Sequence, residues 1–262
     1  MPVDMAALTA DLAAESAVTR ALVAGLDEAG WHTPTPAAGW DIADQISHLA
    51  YFDEVTIRSA VDPEQFKAEL AAAEADGGMN PDTIAARFRD RTGAQLLAWF
   101  EVARADLLGT FSGLDPALRL PWFGPAMSAA SSLTARIMET WAHTQDIADA
   151  LGVTREPTPR LRHVAHIGVG ARAFSYAVHG RTPPPSPVRV ELTGPDGALW
   201  SWGPEDAGDR VTGPALDFCL LVTQRRHRDD LALSIDGPAA TEWMTIAQAF
   251  AGTAGTGRSP QG

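Results

Sequence analysis

The chain has little cysteine, little basic charge and no long apolar run. Its 262 residues include one cysteine, Cys219, which excludes an internal disulfide and a zinc site built from cysteines. No stretch approaches the roughly 18 apolar residues that a membrane-spanning helix needs. The N-terminus lacks the basic and apolar regions of a signal peptide, so we expect a cytoplasmic protein.

Acidic residues outnumber basic ones, and the excess is unevenly spread. The net charge of −13 at pH 7 argues against a protein that binds nucleic acid by neutralising phosphates. Residues 1–155 hold 22 acidic and 10 basic side chains, whereas residues 156–262 hold 11 and 10. This step in charge predicts two domains with different surfaces.

Hydrophobic periodicity divides the first part into helices. Helical spacing of apolar residues predicts four long segments and one short one, and the economical arrangement is a four-helix bundle over residues 1–155. The long helices are expected at residues 4–29, 41–60, 82–112 and 128–151, and the short one at 63–75.

In the second part of the chain, some segments alternate apolar and polar residues as strands do. This pattern predicts an α+β domain over residues 156–251. Pro195-Asp196-Gly197 separates two of the strands and indicates a hairpin. Strands are expected at 188–194, 198–203 and 231–236, and helices at 161–179, 214–225 and 238–250. Residues 252–262 are predicted to be a disordered tail. The fold class is therefore mainly α, a four-helix bundle followed by a smaller α+β domain.

The fourth long helix carries the side chains most able to bind a metal. Glu139 and His143 are four residues apart and point the same way, and Asp146 extends that face. The opposite face is apolar, so one interpretation is a solvated face. The other is a metal site, because a carboxylate and an imidazole one turn apart can bind the same ion.

A further ligand would have to come from another helix, and the second long helix offers His48. That helix is apolar over most of its circumference, so His48 should be buried and needs a partner. It is either a core histidine bonded to a backbone carbonyl or the third ligand. The residues alone leave both interpretations open.

Two motifs carry a resemblance to known proteins. Residues 39–49, GWDIADQISHL, resemble the signature at the second helix of the DinB-like superfamily. Residues 139–152, ETWAHTQDIADALG, are similar to a helix of the mycothiol-dependent maleylpyruvate isomerase family. Residues 211–227 and 235–243 resemble the C-terminal domain of that family. The chain also resembles a subgroup known only as metal-binding, so the isomerase's own substrate is not carried over.

The resemblance implies a metal centre with His48, Glu139 and His143 as ligands. Three ligands leave a coordination position open, as in catalytic sites. The family favours Zn²⁺, while Fe²⁺ or Ni²⁺ suits the same donors. Asp146 would either orient the neighbouring ligands or be a surface acid. Cys219 lies in an apolar run and is expected to be packed, so the nucleophile would be an external thiol, mycothiol or a similar molecule.

The chain departs from the family at the end of a helix in the second domain. The isomerase has a Gly-Arg pair there, and its arginine serves the active site. This chain has Gln224-Arg225-Arg226 instead. Arg225 or Arg226 takes that role, or the basic patch is a solvated helix C-terminus favoured by the helix dipole.

These features predict a metal-dependent enzyme that uses a low-molecular-weight thiol for isomerisation or S-transfer. The partners would be the thiol and a small, carboxylated electrophile, with no nucleic acid and no membrane; the oligomeric state is left open. A non-catalytic protein that binds metal or a small ligand is one alternative. A thiol-independent metal hydrolase is the other.

Overall fold

The computed structural model describes residues 3–75, 78 and 80–261. The chain divides into two compact units, residues 1–155 and 156–262. The first unit is helical and the second combines helices with a small sheet, which confirms the predicted fold class. No helix in the described part of the chain is long and apolar enough to cross a membrane.

The first unit is a closed bundle of four long helices. They are α1 (Met5–Val23), α3 (Ile42–Val61), α6 (Gly93–Ser112) and α7 (Ala129–Ala150). α3 packs against α6 and α7, and α1 packs against the same two helices. Their inward residues form two apolar clusters, one around Leu107, Phe111 and Leu133 and another around Ile46 and Phe100. Burial of these side chains supplies most of the stability of such a bundle.

Shorter elements connect the long helices. They are α2 (Glu28–Trp31), α4 (Pro63–Ala75), α5 (Pro81–Ala86) and the two-residue strands β1 (Arg119–Leu120) and β2 (Met127–Ser128). β1 and β2 pair as an antiparallel hairpin, and the Ser128 side chain then caps the N-terminus of α7. Two predicted helices, 41–60 and 128–151, match α3 and α7 to within one residue.

The helix predicted at 82–112 is wrong as a single element. The chain leaves α5 at Arg87 and begins α6 only after Thr92, whose side chain accepts from the Gln95 backbone in a capping box. Between them, Arg89 donates to both carboxylate oxygens of Asp44, at 3.0 and 2.8 Å. The helix predicted at 4–29 also ends early, at Val23, because Asp27 caps the separate α2.

The second unit places helices against a mixed four-stranded sheet. Its strands are β3 (Val188–Thr193), β4 (Leu199–Trp202), β5 (Asp209–Pro214) and β6 (Ser234–Asp236). The order is β4-β3-β5-β6, with β3 and β5 parallel and the outer pairs antiparallel. The sequence did not predict β5, although it occupies a central position in the sheet.

The helices of this unit are α8 (Leu161–Gly170), α9 (Arg172–Val178), α10 (Ala215–Val222) and α11 (Pro238–Ile246). Asp209 on β5 accepts from the backbone nitrogens of Ala239 and Ala240 and so caps α11. The single helix predicted at 161–179 is two helices, with a break at Ala171. Residues 252–261 contain no helix or strand, but Gly255 donates its backbone N–H to the side chain of Gln248.

Candidate metal centre

The predicted ligands come from two neighbouring helices of the bundle. His48 lies on α3, and Glu139 and His143 lie one turn apart on α7. One donor atom from each lies within 4.8 Å of the other two. Oε2 of Glu139 is 3.2 Å from Nε2 of His143 and 3.7 Å from Nε2 of His48. The structure thus brings the three side chains together.

The spacing of these atoms fits a shared ion. Ligands at 2.0–2.1 Å from a tetrahedral Zn²⁺ lie about 3.3 Å from one another. The two separations from Glu139 are close to that value. Two imidazoles, which are borderline donors, and one carboxylate, which is a harder donor, together suit Zn²⁺, Fe²⁺ or Ni²⁺, so the donor set fits a divalent ion without selecting one.

A chain of hydrogen bonds fixes the tautomer of His143. The Thr35 hydroxyl donates to the carbonyl of Trp40 at 2.9 Å, so its oxygen accepts from the Gln45 amide nitrogen at 2.9 Å. This orients the Gln45 oxygen towards Nδ1 of His143, 2.5 Å away. An amide oxygen can only accept, so Nδ1 carries the hydrogen. In this tautomer the ring presents the lone pair of Nε2 to the cluster.

Burial sets the charge state of His48, and neighbouring side chains set that of Glu139. Desolvation, and then the neighbouring His143, lower the pKa of His48 to about 4. Burial alone would raise the pKa of Glu139, but its interactions with His143 and His48 outweigh this and hold it well below its usual value. At neutral pH His48 is therefore neutral and Glu139 is ionised. These are the forms that bind metal.

The interpretations of these residues as a solvated face and as a histidine bonded to a backbone carbonyl are wrong. His143 is 9% exposed and Asp146 1%, so they do not form a solvated face. α7 packs against both α1 and α3, which buries most of its circumference. Asp146 is accordingly not a surface acid. Nor is His48 bonded to a backbone carbonyl: its Nδ1 is buried with no hydrogen-bond partner among the described residues, and its Nε2 faces Glu139.

Two aromatic rings lie next to the histidines of the cluster. The Trp40 ring lies 5.3 Å from that of His48 and 6.0 Å from that of His143. Its Nε1 donates to Asp82 at 2.7 Å, which holds the indole in place. The Phe52 ring lies 4.6 Å from that of His48. Apolar rings at this distance exclude water and strengthen electrostatic interactions within the site.

A buried ion network underlies the cluster. Asp53 accepts from Nε of Arg104 at 2.6 Å and from Nε of Arg136 at 2.9 Å. Arg136 also donates to the backbone carbonyl of Leu49, the residue after His48. Because Arg136 stands one turn before Glu139, the network ties the two ligand-bearing helices together. Sequence reasoning missed these residues and the role of Gln45, since no local pattern connects them.

The remaining predicted residues belong to the second unit. Arg225 and Arg226 follow the end of α10, in a turn where Gln224 has a φ of 58°. Both are half-buried; Arg225 donates to the carbonyl of Thr223 at 2.6 Å and Arg226 to that of Arg225 at 2.7 Å. Cys219 is fully buried, and burial raises the pKa of its thiol well above the usual value.

These features define a class of protein: a four-helix bundle with a histidine–glutamate–histidine cluster, followed by an α+β unit. The sequence profile of the mycothiol maleylpyruvate isomerase N-terminal domain matches residues 12–148, more than half of the chain. The chain therefore belongs to that family. A profile described as wyosine base formation matches residues 184–234 of the second unit.

Relatives and solved structures extend the likeness beyond the bundle. Uncharacterized proteins from two strains of Mycobacterium tuberculosis are 48% identical over 255 residues, 97% of this chain and 99% of theirs. A crystal structure of the mycothiol-dependent maleylpyruvate isomerase matches 90% of this chain and 96% of its own, with a TM-score of 0.60 and 15% identity. A histidine-to-alanine mutant of that isomerase matches equally well, at 14% identity. At such identities the likeness shows a shared fold.

Proposed function

We propose that this protein is a metal-dependent enzyme that uses a low-molecular-weight thiol, mycothiol or a similar molecule, for isomerisation or S-transfer on a small electrophile. The observation that carries the proposal is the hydrogen bond between Gln45 and His143. It leaves Nε2 of His143 as a lone-pair donor beside an ionised Glu139 and a neutral His48. In a histidine that binds metal through one ring nitrogen, the other nitrogen usually donates to a partner of this kind.

His48, Glu139 and His143 would hold the ion. Zn²⁺ is our first choice, and Fe²⁺ or Ni²⁺ remains compatible with the donors. When bound, the ion supplies the positive charge that lowers the pKa of a thiol and favours its thiolate. Trp40 and Phe52 limit the access of water to this position. Asp146, buried one turn beyond His143, is proposed to help orient the ligand helix.

The thiol is proposed to come from outside the chain. Cys219 donates its S–H to the carbonyl of Leu161 at 3.4 Å and is fully buried, and its raised pKa keeps it in the unreactive thiol form. A bound cosubstrate would supply the nucleophile instead. The family name supports mycothiol as that cosubstrate.

Arg225 and Arg226 are proposed to bind a carboxylate of the substrate or of the thiol. A guanidinium offers a planar pair of donors that matches a carboxylate. The two side chains are half-buried in the turn that follows α10.

A panel of thiols and electrophiles tests the proposal on the purified full chain loaded with Zn²⁺. We expect turnover that depends on mycothiol and is lost in His143→Ala, while His179→Ala, a substitution in the second unit, retains it. Turnover without any thiol would contradict the proposal and indicate a hydrolase. Bound metal with no turnover of any electrophile would contradict it and indicate a binding protein.

A further inference from the structure

A set of aromatic side chains extends from the metal cluster. We name Phe52, Phe66, Trp122 and Phe123 the aromatic wall. The Phe52 ring, 4.6 Å from that of His48, meets Phe123 edge-on at 6.0 Å. Phe123 in turn lies 5.0 Å from Trp122 and 5.6 Å from Phe66. The contacts are continuous, so the wall begins at a candidate ligand and runs away from it.

The wall has a buried base and a partly exposed surface. Phe66, on α4, is 3% exposed and stacks against Trp122 at 6.1 Å. Phe52, Trp122 and Phe123 are only partly buried. Large aromatic rings contribute most when they are fully covered, and a group of incompletely covered rings beside a polar centre is typical of a ligand site.

The wall is held in place by elements that also hold the metal cluster. Phe52 lies one turn after His48 on the same helix. Trp122 and Phe123 lie in the loop of the β1–β2 hairpin, which leads through the Ser128 cap directly into α7. Because α7 carries Glu139, the elements that bear the wall are directly connected to both helices that carry the candidate ligands.

We propose that the aromatic wall binds the apolar part of the electrophile, so that the substrate class is an electrophile carrying an aromatic ring or a comparable flat apolar group. This rests on the proposed function, and it adds a specificity determinant to a site otherwise defined by polar groups. The ring of the electrophile would pack against Phe52 and Phe123. The reactive carbon attached to that ring would then lie beside the candidate ligands.

Two enones that differ only in this group provide the test. Benzylideneacetone carries a phenyl group where ethylideneacetone carries a methyl group. In either addition the thiol sulfur bonds to the β-carbon, the electron pair of the C=C π bond moves to the α-carbon, and that carbon takes the proton released by the thiol. Their saturated analogues, benzylacetone and methyl propyl ketone, report binding without reaction.

Binding is measured first, by calorimetry on the zinc-loaded full chain with the saturated ketones. We expect benzylacetone to bind at least about tenfold more tightly than methyl propyl ketone. Phe123→Leu and Trp122→Leu should each lower that ratio at least about threefold. The matched control is Phe88→Leu, since Phe88 packs against Trp99 and Tyr51, which are not part of the wall. Metal content and unfolding midpoints confirm that each variant is folded.

The outcomes separate this inference from the proposed function. Equal binding of the two ketones, or an equal effect of Phe88→Leu and Phe123→Leu, would overturn the aromatic wall. Equal ratios of catalysed to uncatalysed thiol addition for the two enones, with catalysis measured as kcat/KM, would overturn it as well. A phenyl preference in binding with no thiol-dependent turnover of either enone would support the wall and contradict the proposed function.

Discussion

Gln45 determines which ring nitrogen of His143 is available to bind an ion. Its amide oxygen accepts from Nδ1, so the opposite nitrogen of the ring is the one available to an ion. The sequence shows that Glu139 and His143 share a helix face, because they lie four residues apart, but only the resemblance to a family favoured them as metal ligands. Gln45 cannot be found from the sequence, because it lies 98 residues from His143 and only the packing of α3 on α7 joins them.

Replacing Gln45 tests this assignment. Gln45→Leu removes the acceptor and should weaken Zn²⁺ binding about 10- to 100-fold, as is usual when the partner of a ligand histidine is lost. Gln45→Glu keeps an acceptor and should bind at least as tightly as the parent. Competition with a chromophoric chelator measures both affinities. An affinity for Gln45→Leu within twofold of the parent would show that the hydrogen bond does not serve the site.

Cys219 should be dispensable for chemistry. Its burial and its raised pKa predict that it is not a thiolate at neutral pH. Cys219→Ala should therefore retain turnover at saturating external thiol, and iodoacetamide should modify the folded parent at less than about a tenth of the rate of the unfolded chain. Complete loss of turnover in a folded Cys219→Ala variant would make Cys219 the nucleophile instead.

At the scale of elements, buried charge holds the bundle together. Asp53 on α3 pairs with Arg104 on α6 and Arg136 on α7, and Arg104 also donates to Ser16 on α1 at 2.6 Å. All four long helices therefore meet in one network. Such networks are destabilised most when a change leaves buried charges without a partner.

Removing the acidic member of this network should lower the free energy of unfolding more than removing one of the basic members. Asp53→Asn leaves two buried guanidinium groups uncompensated and should lower the free energy of unfolding by about 3–5 kcal/mol. Arg104→Met should cost less, because Arg136 still neutralises Asp53. Arg20→Met, in an exposed pair with Glu101, is the control and should change stability by no more than about 0.5 kcal/mol. Urea denaturation measures all three, and equal losses for Arg104→Met and Asp53→Asn would contradict this account.

Element boundaries show what periodicity can and cannot predict. α3 and α7 agree with the sequence because each is a single run of helical periodicity that a clear signal ends, Asp62-Pro63 for α3 and Gly152 for α7. Residues 87–92 keep a helical spacing through Phe88, so the break before α6 is hidden, although the Thr92 and Gln95 capping box was readable. β5 was missed because its partner β3 pairs with it in parallel across a long connection, and Gly213 and Pro214 resemble a turn.

At the scale of the whole molecule, each of the two units is proposed to contribute functional residues. The bundle carries the candidate metal centre, and the second unit carries Arg225 and Arg226. The resemblance to a family indicated the metal centre and the arginines, because the motifs of that family occur in both halves of the chain. It could not choose between the two arginines, since the Gly-Arg pair of the isomerase is replaced by Gln224-Arg225-Arg226.

Separate substitutions distinguish the two arginines. If one of them binds a substrate carboxylate, its replacement by Ala should lower kcat/KM about 30- to 1,000-fold, equivalent to roughly 2–4 kcal/mol. Replacement by Lys should not restore it fully, because an ammonium group lacks the planar pair of donors. Metal content serves as the control. If Arg225→Ala and Arg226→Ala both stay within threefold of the parent, neither binds the substrate.

The metal content of the purified protein tests the central claim most directly. Elemental analysis of the parent, with His48→Ala, Glu139→Ala and His143→Ala beside it and His179→Ala as the control, counts the ions per chain. We predict about one divalent ion in the parent and in His179→Ala, and loss of most of it in each of the other three. Full metal content in all three ligand variants, or a parent that binds no divalent ion when one is supplied, would contradict the account.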